Sequence, residues 1–319
     1  MQRIDPQIVS KAAKLFNLNE PAKFYKRSHN HSSAEVFRTN TIALKIGVQN
    51  SANLLFQLEE RIGFARYLHK HSIFSQEFLP SVNKKYIETI TSTDADYFAY
   101  AWSWIPGNNI ENLHPKELKA FYTEWARLIA NCHVAAQNYN VVGELNWLDE
   151  WQKIYDCLPY PSIKVCFEDL KSKLEHYERS KANYGFIHND MHPKNLLFCG
   201  SALHLIDFDR SCRHYFVQDI ANAIYSEYSR IEFHSNYQSA LPDMRELFVL
   251  PFLHSYLANF PLPTADLKAL ELFLMYRSIV MFGIFHDEIK AAAPAYLEEF
   301  RHNIDNNVPF LPYSIEDIL

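Results

Sequence analysis

The spacing of apolar positions changes twice along the chain. Residues 5 to 17 repeat Ile8, Val9, Ala12 and Phe16 on one helical side, behind Asp5 and Pro6, which suit a cap and a first turn. From 22 to 102 the period becomes two, in KFYKRS, AEVFR, TIALKIG, KYIETIT and YFAYAWSW, with turns at Thr39–Asn40 and STDAD. This predicts an antiparallel sheet of about five short strands. Between the third and fourth, Leu54, Leu58, Ile62, Ala65 and Leu68 recur at helical spacing, so one helix interrupts the meander. The stretch IPGNNIENLHP at 105 to 115 gathers turn formers and marks a hinge. Helical spacing then dominates, first with Leu118, Phe121, Trp125, Leu128, Ile129 and Cys132 on one stripe, then over roughly 162–181, 217–230, 243–259, 264–285 and 291–304. The reading is α+β: a sheet-bearing lobe of residues 1–104 and a mainly helical lobe of 105–319.

Two runs inside the helical lobe break the pattern. FIHNDMHPKNLLF (186–198) and LHLIDFD (203–209) set His188, Asp190, Asn195, Asp207 and Asp209 between apolar residues with the look of buried strands. The order H-x-D, then Asn five positions after the Asp, then a later Asp opening D-F-x is the kinase order. Its chemistry is phosphoryl transfer. Asp190 can accept the proton of an attacking alcohol. Asn195, through its amide oxygen, and Asp207, through its carboxylate, suit Mg²⁺, a hard cation that takes oxygen ligands. Without a cation, two carboxylates about 4 Å apart would repel by roughly 4 kcal/mol.

Composition narrows the class. With 319 residues and 48% hydrophobic content, the chain can build a large core without staples. A net charge of −6 gives no global basic footprint for nucleic acid and no attraction to anionic lipid. The five cysteines form no CxxC pair, which fits reduced thiols in a cytosol. The charged N-terminus lacks a secretory apolar region, and no run of 18 apolar residues occurs. A cytoplasmic protein without membrane or nucleic-acid partners is expected.

FIHNDMHPKNLLF...LHLIDFD resembles the aminoglycoside phosphotransferase and choline kinase-like superfamily, with its H-G-D-x-H-P-x-N run followed by I-D-F/W-D/E. VQDIANAI (217–224), YAWSWIPG (100–107) and LIANCHVA (128–135) extend the likeness over nearly the whole chain. The resemblance implies a protein kinase-like two-lobe fold and an ATP- and Mg²⁺-dependent phosphotransferase. It makes Asp190 the catalytic base and Asn195 and Asp207 the metal ligands. His188 would hold the loop by a hydrogen bond, and Asp219 would bond the loop backbone. Lys45 in IALKIG would grip the ATP phosphates, paired with Glu60 or Glu59 on the following helix. The nucleotide-covering loop falls in KRSHNHSSAEVF (26–37), which has no glycine; Ser32 and Ser33 would offer N–H groups and hydroxyls to phosphate. Asn189 and Lys194 stand at positions where the family often has Gly.

The acceptor implied is a hydroxyl of a small molecule such as an amino alcohol or an aminoglycoside. Trp147, Trp151, Tyr215, Tyr225 and Tyr228, with Asp149 and Glu150, are candidates to receive a cationic one. Asp209 suits either a second metal contact or a loop cap. A serine/threonine protein kinase shares the catalytic order, but His192 stands where that class has Lys, and no A-P-E segment is present. A non-catalytic nucleotide-binding protein would fit the glycine-free loop. A zinc or iron hydrolase would use His188, Asp190, His192, His204 and Asp207.

Overall fold

The computed structural model describes residues 3–27, 34–108, 115–140, 143, 145–199, 202–233 and 244–317. Its strands, in chain order, are β1 Lys23–Arg27, β2 Glu35–Arg38, β3 Ile42–Val48, β4 Phe78–Leu79, β5 Glu88–Thr91, β6 Asp96–Ser103, β7 Tyr184–Ile187, β8 Leu196–Cys199, β9 Ala202–Leu205 and β10 Cys212–Tyr215. Its helices are α1 Pro6–Leu15, α2 Ala52–Lys70, α3 Pro115–Ala136, α4 Trp147–Cys157, α5 Pro161–His176, α6 Phe216–Phe233, α7 Leu250–Asn259, α8 Thr264–Lys268, α9 Leu270–Ala292 and α10 Pro294–Asp305. They fall into two compact units. One comprises Met1–Glu111, Asn140–Gly143 and Lys194–Ser211; the other comprises Asn112–Tyr139, Glu144–Pro193 and Cys212–Leu319.

The first unit is built on an antiparallel sheet of order β1-β2-β3-β6-β4, with β5 also paired to β6. The sixth strand, absent from the sequence expectation, is the two-residue β4. Asp5 caps α1 by accepting from Gln7 N at 2.7 Å, and Pro6 fills the first helical position. Ile8 and Ala12 of α1, with Ile4 and Phe16, pack on Leu44 and Ile46 of β3 and on Ala99 and Ala101 of β6. Alternation along β3 therefore sends Lys45 to the opposite face. There it lies opposite Tyr100, its register partner on β6. The hairpin β8–β9 joins the same unit, with Leu205 N donating to Phe74 O at 2.9 Å.

The second unit is helical around fully buried rings, among them Trp125, Trp147, Tyr122, Phe167 and Phe216. Each buried phenylalanine contributes about 1.5–3 kcal/mol of transfer free energy. Four of the aromatic residues considered for a cationic acceptor, Trp147, Trp151, Tyr215 and Tyr225, belong to this core. A capping box between Asn146 and Asp149 starts α4. The short strands β7 and β10 pair antiparallel, with Ile187 opposite Cys212, so β7 delivers the chain into the loop that begins at His188.

Candidate active site

In the second unit, the loop after β7 is fixed from below by one carboxylate. Asp219 on α6 accepts from His188 N at 3.2 Å through Oδ2 and from Asn189 N at 2.8 Å through Oδ1. Oδ2 also accepts from Nε2 of His133 on α3, whose Nδ1 bonds the Tyr256 hydroxyl of α7 at 2.7 Å. The loop backbone is thus tied to three helices. His188 is buried, and its Nδ1 accepts from Asp190 N at 3.3 Å.

Asn189 adopts φ 59°, in the left-handed region where glycine is usual and Asn is the best-tolerated substitute. Its side chain is wholly buried. Nδ2 donates to Glu150 Oε2 at 3.2 Å and approaches Cys212 Sγ at 3.6 Å, while Oδ1 accepts from Asn222 Nδ2 at 3.5 Å. The backbone freedom expected of glycine is replaced here by a residue locked through its amide.

Asp190, with a side chain 14% exposed, receives Nη2 of Arg277 from α9 on Oδ1 at 2.9 Å. Its Oδ2 lies 3.5 Å from His192 Nε2. Arg277 is 1% exposed and escaped the sequence reading. The signal was present: one arginine in the apolar run FLMYRSIVMFGIF.

The first unit holds the other candidates. The hairpin register places Leu196 opposite Leu205, and Ile206 N donates to Asn195 O at 2.9 Å. Asn195 and Asp207 therefore lie at the same end of one hairpin. Asp207 takes φ 67°, and its N–H donates to Gln76 Oε1 at 2.9 Å, a partner not foreseen from the sequence. Between the two aspartates, Phe208 is buried against Phe64 of α2, with ring centroids 6.3 Å apart. An amide oxygen and a carboxylate carried at one hairpin end are the residue types that a divalent ion would take.

Lys45 is ion-paired with Asp209 Oδ2. The sequence points to Glu60 or Glu59 of α2 for this role; Asp209 is a partner that spacing does not name. Glu60 is buried on α2, with its carboxylate close to Gly143. The spacing of a helix after a strand could not reveal a partner 164 residues away. Tyr100 donates to Asp209 Oδ1 at 3.0 Å, as its register with Lys45 allows. Burial opposes the Lys45 charge, but Asp209, with Tyr100 and Asp207 beside it, outweighs burial and holds the ammonium above its ordinary value. Burial likewise opposes the Asp209 charge, and Lys45, Arg61 and the Tyr100 hydrogen bond keep that carboxyl below the usual range. Ser32 and Ser33 lie outside the described residues. Among the described residues no group of three or more His, Cys, Asp or Glu side chains is placed to hold a metal. His204, offered for such a cluster, packs its ring 5.0 Å from Phe74.

Residues 35–250 match the model of the phosphotransferase enzyme family, and the chain belongs to that family. Amicoumacin kinase of Bacillus subtilis (strain 168) is 23% identical over 256 residues, covering 76% of this chain and 74% of that protein. Among solved structures, an amicoumacin kinase in complex with AMP-PNP, Ca²⁺ and Ami superposes with TM-score 0.83 at 20% identity, covering 99% of this chain and 98% of the other. A microcompartment-associated aminopropanol kinase gives TM-score 0.66 at 16% identity, covering 88% and 89%. The expected kinase-like α+β fold is the fold of this chain. It is a phosphotransferase of the small-molecule kinase type, and ATP with a divalent metal ion are the cofactors expected of its family.

Proposed function

We propose that the chain transfers the γ-phosphoryl group of ATP to a hydroxyl of a small molecule that also carries an amine. The observation that carries this reading is the loop at 188–190, its two amides held by Asp219 and its Asp190 carboxylate held by Arg277. Asp190 orients the acceptor hydroxyl and takes its proton as the oxygen–phosphorus bond forms and the bond to the ADP oxygen breaks. Asn195 and Asp207 are the residues that would hold Mg²⁺, which when bound neutralises phosphate charge. Lys45, paired with Asp209 until the nucleotide arrives, offers its ammonium to the phosphates. Amicoumacin and aminopropanol kinases among the similar proteins supply the first acceptors to try.

Asp190→Asn is the informative substitution, because Ala would leave the buried Arg277 opposite a methyl group. Turnover of amicoumacin with Mg-ATP is expected to fall about 100-fold or more, with the affinity for Mg-ATP nearly unchanged. A variant turning over at the wild-type rate removes Asp190 from this role. A panel of amine-bearing alcohols, read by ADP release, tests the acceptor class; turnover confined to hydroxyls lacking an amine would overturn it.

A further inference from the structure

Arg277 is a charged side chain buried in the middle of α9, between Tyr276 and Ser278 and followed by Ile279 and Val280, all of them buried. Its Nη2 donates to Asp190 Oδ1 at 2.9 Å, and among the described residues its Nε has no hydrogen-bond partner. A guanidinium in such a place loses its hydration, and a buried ion pair regains that loss only when well hydrogen-bonded. Apolar residues of similar volume are often as stabilising. Stability therefore gives a poor account of why α9 carries an arginine here. The neighbours of the pair give a better one. One oxygen of Asp190 is occupied by Arg277, and the other lies toward His192, whose side chain is 26% exposed.

We propose that Arg277 is a positioning residue: it pins Oδ1 of Asp190 so that Oδ2 is the oxygen offered to the acceptor hydroxyl. The inference rests on the reading of Asp190 as the base. A carboxylate on a short side chain otherwise rotates about its χ angles, and a proton acceptor displaced by an ångström loses much of its effect. Arg277 is suited to this because its fork is planar and always charged, and because packing along a 23-residue helix fixes its origin.

The test is a double-mutant cycle on the full chain, using hydrolysis of Mg-ATP, with water in the acceptor's place, so that the acceptor need not be known. Arg277→Met is expected to lower kcat about 10- to 100-fold while changing KM for ATP less than about twofold, since a positioning contact acts in the transition state. Arg277→Lys, which keeps the charge and loses the fork, should regain part of that rate. In the Asp190→Asn background, Arg277→Met should change the remaining rate less than about twofold, because its effect runs through the missing carboxylate. Losses that multiply across the two positions overturn the proposal, as does a rise in KM at unchanged kcat. If Arg277→Met does not fold, Arg277→Lys decides: a wild-type kcat in that variant overturns the proposal. Failure of the underlying reading looks different, because Asp190→Asn would then hydrolyse ATP at the wild-type rate.

Discussion

Asn189 shows how one residue sets the shape of the loop after β7. Alanine at φ 59° would cost about 1–2 kcal/mol in backbone strain, and the lost amide bonds about 1 kcal/mol each. Asn189→Ala should therefore destabilise the fold by about 2–4 kcal/mol, and Asn189→Gly, which keeps the left-handed backbone, by about 1–2 kcal/mol. Urea unfolding of the two variants checks the order; equal losses would mean that backbone conformation contributes nothing. From the sequence, Asn189 was only a departure from glycine. Its burial against Glu150 on α4 and Asn222 on α6 depends on helices that meet far from one another in sequence. Arg277 was hidden for the same reason, since its partner Asp190 lies 87 residues away.

The β8–β9 hairpin carries the prediction that belongs to elements. With Asn195 and Asp207 at one end of it, Asp207→Ala should remove the metal dependence of nucleotide binding. Calorimetric titration with AMP-PNP should show wild-type affinity rising about tenfold or more with Mg²⁺, or about 1.4 kcal/mol, and the variant responding hardly at all. Wild-type affinity indifferent to Mg²⁺ would count against the assignment. Elements of many residues were legible because they repeat their period: α1, α2 and α3 fall where apolar spacing placed them, and β3 and β6 follow the two-residue alternation. Some of the shortest were not. β4 and β10 are too short for alternation to register, and the π turn at Arg245–Val249 ahead of α7 leaves no periodic mark. Asp209 as a partner of Lys45 was not legible because register, which brings Tyr100 beside Lys45 and both to Asp209, is a property of paired strands rather than of spacing along one.

At the scale of the whole molecule, the family and the fold were legible because the motif order is local in sequence, while the assignment of 194–211 to the sheet-bearing unit is a matter of contacts. Among the described residues no helix is long and apolar enough to cross a membrane. Global stability should carry a signature of His214 on β10, where burial, with the charge of Arg179 adding, pulls the imidazole from its ordinary 6.5 down to about 3. Between those values the unfolded chain takes up a proton that the folded chain refuses, so stability falls as pH drops through this window and levels off below it. From pH 7 to pH 5 the wild type should lose about 2 kcal/mol more than His214→Gln in urea unfolding, and parallel curves would refute the linkage. The pairing of Lys45 with Asp209 bears on the proposed chemistry in another way. The ammonium sheds its water once, as the chain folds, so an arriving phosphate trades places with a carboxylate instead of stripping a solvated cation. Docking and departure of the nucleotide then become exchanges of one anion for another, with little net change in charge around the lysine.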